Sequence, residues 1–323
     1  MPPKQPKDRR KDKSKLTIVT YNPEWLFLHG GRGEHVRCPS PACPWKDAQQ
    51  ARKHLTDVAQ VLDKLDADII NLQEVEDCGT LEELRKAMRD GDSYRVYMRE
   101  GTDTALGQNV AMLTRIDPSI PVQRTEFRAQ LPVPNSTCRV KKDGKSGVSK
   151  HYATEFEVEG LSAPLIFVGV HLMARPDDPH RCSQREGQAA VLVQLVKDLR
   201  QGQEDKHVII AGDFNDYDAR IEQLRRRHIQ PDSSTLDILY RGLGMSNAIM
   251  ASTRPPPEWF TLSVVDETTR HRKQVLIDHM MVSSSLFPLI ADMEIVFEAK
   301  GVSDHLPLCM TIDLSKLTKP ILK

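Results

Sequence analysis

The sequence has no run of about 18 apolar residues, the length that a membrane-spanning helix requires. Its first fifteen residues contain no apolar stretch that could form the core of a secretory signal. Charge of one sign is not in excess, because 45 Lys and Arg residues balance 45 Asp and Glu residues. These absences exclude a membrane-spanning protein and argue against nucleic-acid affinity through a global positive field. We therefore expect an intracellular protein, nuclear or cytoplasmic, and keep secretion as the alternative.

Cysteine is also scarce, since six residues in a chain of 323 are too few for a disulfide scaffold. Only Cys38 and Cys43 lie close together, in a proline-rich stretch that follows His35. A loop disulfide and a partial zinc site are alternatives to a plain loop here. Zinc would lack a fourth ligand, and the cysteine spacing differs from that of a zinc finger. We interpret the stretch as a plain loop and leave the disulfide state of both cysteines open.

The chain does contain enough apolar sequence for a large core, with 39 % apolar and 28 % charged residues. Residues 1–15 are charged and lack periodicity, which predicts a disordered basic tail. A nuclear-import or nucleic-acid patch at Arg9–Lys13 is the less favoured alternative. Residues 16–315 are predicted to form one domain, because candidate functional residues are spread over its whole length. Residues 316–323 are predicted to be a C-terminal tail.

Apolar periodicity predicts alternating strands and helices. Short apolar runs such as Leu16–Asn22 are typical of buried strands. Residues 47–65 instead carry apolar side chains every three or four positions, which predicts a helix. A second helix is predicted at 81–90, and a third from Ser183, whose spacing to Glu186 matches a capping box. Three long stretches without either pattern are predicted to be irregular loops that govern substrate choice: 28–46, 114–150 and 216–275.

The ends of the predicted strands carry acids, amides and imidazoles. These residues are Asn22, Glu74, His171, Asp213, Asn215, Asp278, Asp304 and His305. Taken singly, each has an ordinary explanation, such as a turn for Asn22 or a core position for His171. Glu74 is harder to explain, because a buried carboxylate is unfavourable unless it is paired or metal-bound. Since sites gather where strands end, we expect these side chains to form one site.

The motifs around these residues resemble, in order and spacing, those of the endonuclease/exonuclease/phosphatase superfamily, in particular its deoxyribonuclease-like nuclease branch. They are Tyr21-Asn22, Leu72-Gln73-Glu74-Val75, Val170-His171, Gly212-Asp213-Phe214-Asn215, Ile277-Asp278-His279 and Ser303-Asp304-His305-Leu306-Pro307. The resemblance implies an α/β fold, a four-layered sandwich of two packed β-sheets flanked by helices in a single domain. It also implies hydrolysis of phosphate esters with a divalent ion, generally Mg²⁺, with Mn²⁺ as the alternative.

The resemblance further implies roles for individual residues. Glu74 would be the principal metal ligand, and Asn22 and Asp304 would complete or support the site. Asp213 would position and activate the attacking water. Asn215 would hold that water or a phosphate oxygen. The residue types agree independently with a hard ion, because clustered carboxylates repel one another unless a cation or protonation offsets their charge.

The two histidines are implied to act on the phosphate. His305 would lie against it, oriented by Asp278. His171 would donate to a non-bridging oxygen as negative charge develops there. Whether an aspartate or a histidine is the general base stays open at this point.

The expected substrate is DNA or RNA, hydrolysed at backbone phosphodiesters by a monomer that does not act at a membrane. Gly212–Tyr217 and Trp259–Thr261 are more similar to the nuclease branch than to inositol-polyphosphate phosphatases, whose Trp-Cys-Asp-Arg segment is replaced here by Leu276–His279. Basic loop residues are candidates for holding the substrate backbone: Arg124, Arg128, Arg139, Lys141, Lys142, Lys145, Lys150, Arg270, Arg272 and Lys273.

Three alternatives to a nuclease remain open at the level of sequence. The first is a phosphatase or phosphodiesterase for a small-molecule or lipid phosphate ester. The second is a binding module that has lost turnover, and the third is an unrelated α/β protein in which the polar strand ends are turn and core residues.

Overall fold

Two β-sheets of six and five strands pack face to face in the computed structural model of the protein. The structure describes residues 6–29, 43–221, 233–265 and 272–318. Its strands, in chain order, are β1 (Lys15–Tyr21), β2 (Ile69–Val75), β3 (Arg95–Met98), β4 (Asn109–Thr114), β5 (Ala129–Leu131), β6 (Gly144–Ser146), β7 (Lys150–Phe156), β8 (Leu165–His171), β9 (His207–Asp213), β10 (Met245–Asn247), β11 (Leu262–Val265), β12 (Arg272–Val275), β13 (Asp278–Ser283), β14 (Ile290–Ile295) and β15 (Leu308–Asp313).

The strand order is β14-β15-β1-β2-β4-β3 in the larger sheet and β10-β13-β9-β8-β7 in the smaller one. Two hairpins, β5-β6 and β11-β12, lie outside these sheets. The pairs β1-β2 and β8-β9 are parallel. The carboxyl ends of the two strands in each pair therefore lie side by side, which is how distant parts of the chain reach one sheet edge.

The helices are α1 (Ala48–Leu65), α2 (Cys78–Ala87), α3 (Pro179–Arg200), α4 (Thr235–Leu243) and a short α5 (Ser315–Thr318). Helices α1 and α2 pack on the larger sheet, and α3 and α4 pack on the smaller one. None of the helices that the structure describes has the length and apolar character of a membrane span. The predicted four-layered α/β sandwich in a single domain is confirmed.

The main apolar core fills the space between the two sheets, where Ile18 and Ile69 of one sheet share a cluster with Phe167, Ile209 and Met280 of the other. All five side chains are fully buried. Burial of one such side chain stabilises the fold by about 1.5–3 kcal/mol. One face of each central strand packs in this core, and helices cover the opposite face. Both faces are therefore apolar, and the strands have continuous apolar sequences.

The predicted helix at 47–65 is confirmed as α1, capped by the Asp47 carboxylate, which accepts a hydrogen bond from the Gln50 amide at 2.9 Å. The predicted start of the third helix at Ser183 is wrong. Helix α3 begins four residues earlier, at Pro179, and the carboxylate of Asp178 caps it. An Asp followed by Pro is a strong start signal, because Pro needs no amide partner in the first helical turn.

Two of the predicted irregular stretches contain regular structure. The 114–150 stretch includes the β5-β6 hairpin, and the described part of the 216–275 stretch includes α4 and three short strands. Apolar periodicity missed these elements because most are only three or four residues long. Residues 30–42, which include Cys38, lie outside the described residues, whereas Cys43 is disulfide-bonded.

The N-terminal segment at 6–15 packs against the domain, contrary to the predicted disorder. The Arg9 guanidinium donates two hydrogen bonds of 2.7 Å to the Asp117 carboxylate. Arg10 is only 4 % exposed, pairs with Asp8 and donates to the Glu159 carbonyl. The charges that suggested a solvated tail are satisfied by partners on the domain. Residues 1–5 and 319–323 lie outside the described residues.

A disulfide joins Cys138 to Cys182, with 5.6 Å between the Cα atoms and a sequence separation of 44. It links the loop between β5 and β6 to the first turns of α3. Six scattered cysteines gave no indication of this pair, because connectivity depends on tertiary structure and not on spacing.

Candidate active site

The carboxyl ends of four strands meet at one edge of the sandwich. In the smaller sheet, the register places His171 of β8 opposite Asp213 of β9, and Asp213 opposite Asp278 of β13. Because neighbouring strands lie about 4.8 Å apart, these side chains form a row across the sheet. In the larger sheet, Asn22 directly follows β1, and Glu74 is the penultimate residue of β2.

Asn22 connects the two sheets at this edge. Its Nδ2 atom lies 3.3 Å from Oε1 of Glu74 and 3.3 Å from Oδ2 of Asp213. The other Glu74 oxygen accepts a hydrogen bond of 3.0 Å from the Trp25 amide. The backbone of Glu74 has a φ of 53°, in the left-handed region. Backbone strain of this kind clusters at functional sites.

Glu24 adds a carboxylate that the strand-end pattern did not predict. Its Oε2 atom accepts a hydrogen bond of 3.0 Å from the Asp304 amide, and its own amide donates to Oδ1 of Asn22 at 3.1 Å. Burial and then the charge of Asp304 raise the pKa of Glu24 to about 7. Burial also raises the pKa of Glu74. The available signal was an acidic residue two positions after the strand-ending Asn22.

Asp213 lies at the centre of the group. Burial and then the charge of Asp278 raise its pKa to about 7. Its Oδ1 atom accepts a hydrogen bond of 2.8 Å from the Asn215 amide. At the preceding Gly212, φ is 146° and a Cβ atom would lie 1.9 Å from the Val170 carbonyl oxygen. Only glycine therefore allows β9 to approach β8 this closely, as the motif predicted.

His305 and Asp278 form a buried dyad. Nδ1 of His305 lies 2.7 Å from Oδ2 of Asp278. Burial opposes the charged imidazolium, but Asp278, Asp213 and Asp304 raise the pKa of His305 well above its ordinary value. Its Nε2 atom lies 4.0 Å from a carboxylate oxygen of both Asp213 and Asp304. The second nitrogen of the ring therefore faces the cleft.

Lys150 is buried beside His171. Its Nζ atom donates to Oε1 of Gln108 at 3.0 Å and lies 3.4 Å from Nε2 of His171. Nε2 of His171 in turn lies 3.6 Å from Oδ2 of Asp213. Burial lowers the pKa of Lys150 despite nearby carboxylates, and burial together with Lys150 lowers the pKa of His171 well below its ordinary value. The sequence grouped Lys150 with exposed loop cations, because its burial follows from β7 pairing with β8.

The oxygen donors at this edge fit a hard divalent cation. Glu24, Glu74 and Asp304 supply carboxylates, the donors that Mg²⁺ takes. Asn22 presents Nδ2 to Glu74 and Asp213 in this structure, and its amide would turn over to offer Oδ1 to an ion. The Asp304 side chain is 37 % exposed, so the cluster opens to solvent on one side. The raised pKa values of Glu24 and Glu74 indicate that added positive charge would stabilise their ionised forms.

The basic loop residues whose side chains the structure describes do not form one cluster. Lys141 and Lys142 line a pocket together with Arg181 of α3. Arg124 and Arg128 line a different pocket. The remaining predicted contacts are exposed (Arg139, Lys145), ion-paired with Asp177 (Lys273) or outside the side chains that the structure describes (Arg270, Arg272).

Solved structures with a similar fold include three different proteins. Truncated TDP2 from Caenorhabditis elegans has 15 % sequence identity and a TM-score of 0.54, covering 93 % of this chain and 98 % of that chain. The human Nocturnin catalytic domain with bound sulfate has 15 % identity and a TM-score of 0.53, covering 95 % and 96 %. The mannosyl-6-phosphatase of Bacteroides thetaiotaomicron has 16 % identity and a TM-score of 0.52, covering 91 % and 98 %.

The sequence profile of the Endonuclease/Exonuclease/phosphatase family matches residues 45–305, most of the chain and nearly all of the residues that build the site. No curated protein sequence matches this chain significantly. The profile agrees with the motifs at the strand ends and with the four-layered fold. The chain therefore belongs to the Endonuclease/Exonuclease/phosphatase family of phosphoester hydrolases.

Proposed function

We propose that the protein is a divalent-metal-dependent nuclease that hydrolyses phosphodiester bonds of DNA or RNA. The observation that carries this proposal is the environment of Oδ2 of Asp213. Nδ2 of Asn22 lies 3.3 Å from it, Nε2 of His171 3.6 Å and Nε2 of His305 4.0 Å. Carboxylate, amide and imidazole groups thus face one space at an open sheet edge, as hydrolysis of a phosphate ester requires.

Glu74, Asn22 and Asp304 would hold the ion, which we take to be Mg²⁺ or Mn²⁺, and Glu24 would assist them. When bound, such an ion supplies positive charge that offsets negative charge on the phosphate oxygens. The left-handed backbone at Glu24 and Glu74 turns the chain so that these side chains face the same edge. The amides of Trp25 and Asp304 hold the two carboxylates in place.

Asp213 would be the general base. It is the carboxylate that faces both histidines, and the Asn215 amide fixes its other oxygen. In the proposed step, a water oxygen forms a bond to phosphorus as its proton passes to Oδ2 of Asp213. The bond from phosphorus to the leaving oxygen breaks, and its electron pair leaves with that oxygen. Asn215 would orient the water or a phosphate oxygen.

The histidines would stabilise negative charge on the phosphate. His305, kept protonated by Asp278, would donate from Nε2 toward a phosphate oxygen. His171, kept neutral by burial and by Lys150, would donate to a second oxygen. Lys150 would add positive charge behind His171.

The nuclease assignment is tested with plasmid DNA and single-stranded RNA, each incubated with protein and Mg²⁺ or with EDTA. Glu74→Gln removes a proposed metal ligand, and Glu83→Gln, a change at a partly exposed position on α2, is the matched control. Cleavage by wild type and Glu83→Gln that disappears with EDTA and in Glu74→Gln supports the proposal. Intact nucleic acid under all conditions contradicts it.

A phosphatase for a small phosphate ester is the second candidate, because a mannosyl-6-phosphatase shares this fold at nearly the same TM-score. Mg²⁺-dependent release of phosphate from mannose 6-phosphate or p-nitrophenyl phosphate, with nucleic acid left intact, would favour it. Binding of either substrate class without turnover would favour a binding module.

The Cys138–Cys182 disulfide bears on the compartment. Disulfides persist mainly in secreted and other oxidising environments. This observation favours the secreted alternative over the intracellular location expected from composition. Thiol labelling of protein isolated under non-reducing conditions from its natural source tests this point.

A further inference from the structure

A pocket of about 600 Å³ is lined by the segment that follows β8, by the loop between β5 and β6 and by the start of α3. Lys141 and Lys142 line one side of it, in the loop between β5 and β6, and Arg181 of α3 lines the other. Met173, two residues beyond His171, also lines it. The pocket therefore begins where the catalytic strand β8 ends, and its volume is typical of ligand-binding clefts, which have about 300–1,000 Å³.

The charge of this pocket is suited to an anion. Among the described residues, one carboxylate lines it, that of Asp178, which already caps α3 and lies 3.4 Å from Nε of Arg181. Lys141 and Lys142 are exposed, and within the described ranges no carboxylate pairs with either of them. The positive charges of Lys141 and Lys142 are therefore available to a ligand that extends from His171 into this pocket.

The pocket also offers apolar surface. Val140 is 38 % exposed, and its side chain lines the pocket together with Met173. A nucleic-acid strand presents phosphates beside apolar sugar and base surfaces, so it matches both features. A small inorganic anion would use only the lysines.

The loop that carries the lysines is fastened to α3. The Cys138–Cys182 disulfide joins them covalently. Ser183, the residue after Cys182, adds two hydrogen bonds to the same loop. Its Oγ donates to the Val140 carbonyl at 3.0 Å and accepts from the Lys142 amide at 3.2 Å. The exposed lysine side chains are not held by packing. The position of their charges therefore depends on the backbone of the loop, which is fixed to α3.

We propose that this pocket, which we call the lysine pocket, binds phosphates of the nucleic-acid strand next to the bond that is cleaved, and that the Cys138–Cys182 disulfide holds it in register with the active site. This inference rests on the nuclease function proposed above. It names a substrate-binding surface and gives the disulfide a role in substrate affinity.

The test compares hydrolysis of 20-residue DNA and RNA oligonucleotides with that of bis(p-nitrophenyl) phosphate. This ester has a single phosphate, so it offers no second phosphate to the lysine pocket while it is hydrolysed. Lys141→Glu combined with Lys142→Glu should lower the ratio of oligonucleotide to small-ester kcat/KM about tenfold. The milder pair Lys141→Met and Lys142→Met should reduce the slope of log KM against log salt by about 1–2. Lys53→Glu combined with Lys86→Glu, on α1 and α2 in the opposite outer layer, is the charge-matched control.

The disulfide is tested separately. Dithiothreitol is unsuitable, because Cys43 is disulfide-bonded as well, so Cys138→Ser combined with Cys182→Ser is used. We expect a rise in oligonucleotide KM of about fivefold or more with a smaller change in kcat. If this variant unfolds, as circular dichroism would show, the lysine variants alone decide the proposal.

The outcomes distinguish failure of the nuclease function from failure of the lysine-pocket proposal. If wild type hydrolyses neither oligonucleotide, the nuclease function fails and the lysine pocket loses its ligand. If wild type hydrolyses oligonucleotides and both lysine pairs keep the wild-type ratio and salt slope, only the pocket proposal is overturned. A loss with DNA but not RNA, or the reverse, identifies which strand the pocket holds.

Discussion

The imidazole of His305 and the carboxylate of Asp278 face each other at 2.7 Å, although 27 residues separate them in the chain. Asp278 begins β13, and His305 lies in the turn before β15, so the contact joins the two sheets. The other nitrogen of His305 faces Asp213 at 4.0 Å. This relationship makes Asp278 a positioning residue, which acts on the substrate through His305.

Replacing Asp278 with Asn should lower kcat far more than it raises KM, because the amide keeps the size of the side chain but no longer stabilises the imidazolium. We expect kcat to fall by about 10²–10⁴-fold, the range for loss of a positioned acid–base group. Steady-state kinetics on an oligonucleotide measures both constants. A large rise in KM at unchanged kcat would show that Asp278 contributes to binding instead.

Replacing Glu74 with Gln should weaken divalent-ion binding, because the amide removes one negative charge from the oxygen cluster. Mn²⁺ affinity, measured by electron paramagnetic resonance, should fall by at least about tenfold. Glu83→Gln should bind Mn²⁺ as wild type does. Equal affinity in wild type and Glu74→Gln would place the ion elsewhere.

Replacing Lys150 with Met should lower activity without lowering thermal stability. The buried ammonium stabilises charge near His171, and we expect kcat/KM to fall about 10²-fold, as for loss of one electrostatic donor. Burial lowers the pKa of Lys150, so its charged form is unfavourable in the folded protein, and methionine fills a similar volume without that charge. Kinetics together with the melting temperature check this. A matched loss of stability and activity would indicate a purely structural lysine.

The Arg9–Asp117 pair should make stability depend on pH in the acid range. Burial acts against ionisation of Asp117, but the Arg9 hydrogen bonds lower its pKa below the ordinary value. Its contribution is therefore present above the unfolded pKa of about 3.9 and is lost as pH falls through the folded value. At neutral pH, Asp117→Asn should lower the free energy of unfolding by about 1–3 kcal/mol.

Urea unfolding of both proteins between neutral pH and pH 3 measures this difference. The two stabilities should converge as the medium becomes more acidic than about pH 4. A difference that stays constant over the whole range would mean that the charge of Asp117 does not contribute.

The architecture and the strand-end residues could be predicted from local sequence, because apolar periodicity and short motifs indicate them. Asn22, Glu74 and Asp213 each end a short apolar run, and parallel pairing brings such ends to one edge. The proposed catalytic roles of these residues remain predictions. Contacts in the structure link seven of the eight predicted side chains to one another and to the backbone amide of Asn215, whose own side chain donates to the Leu172 carbonyl.

Features that depend on contacts between distant segments could not be predicted from local sequence. From sequence alone, Lys150 resembles an exposed loop cation. Its burial follows from the pairing of β7 with β8 and from its hydrogen bond to Gln108. Cys138 meets Cys182 only because the loop between β5 and β6 folds over the start of α3. Glu24 joins the carboxylates because left-handed backbone at Glu24 and Trp25 turns the chain back toward Asp304.

The role proposed for Asp213 is to activate the water that attacks phosphorus in a backbone phosphodiester. It is tested most directly by incubating wild type and Asp213→Asn with an end-labelled oligonucleotide and Mg²⁺ in oxygen-18-labelled water, followed by mass spectrometry. We predict that wild type forms shorter products with one labelled oxygen in each new terminal phosphate, and that Asp213→Asn forms almost none. Absence of labelled product with wild type, or equal product with Asp213→Asn, would contradict the account.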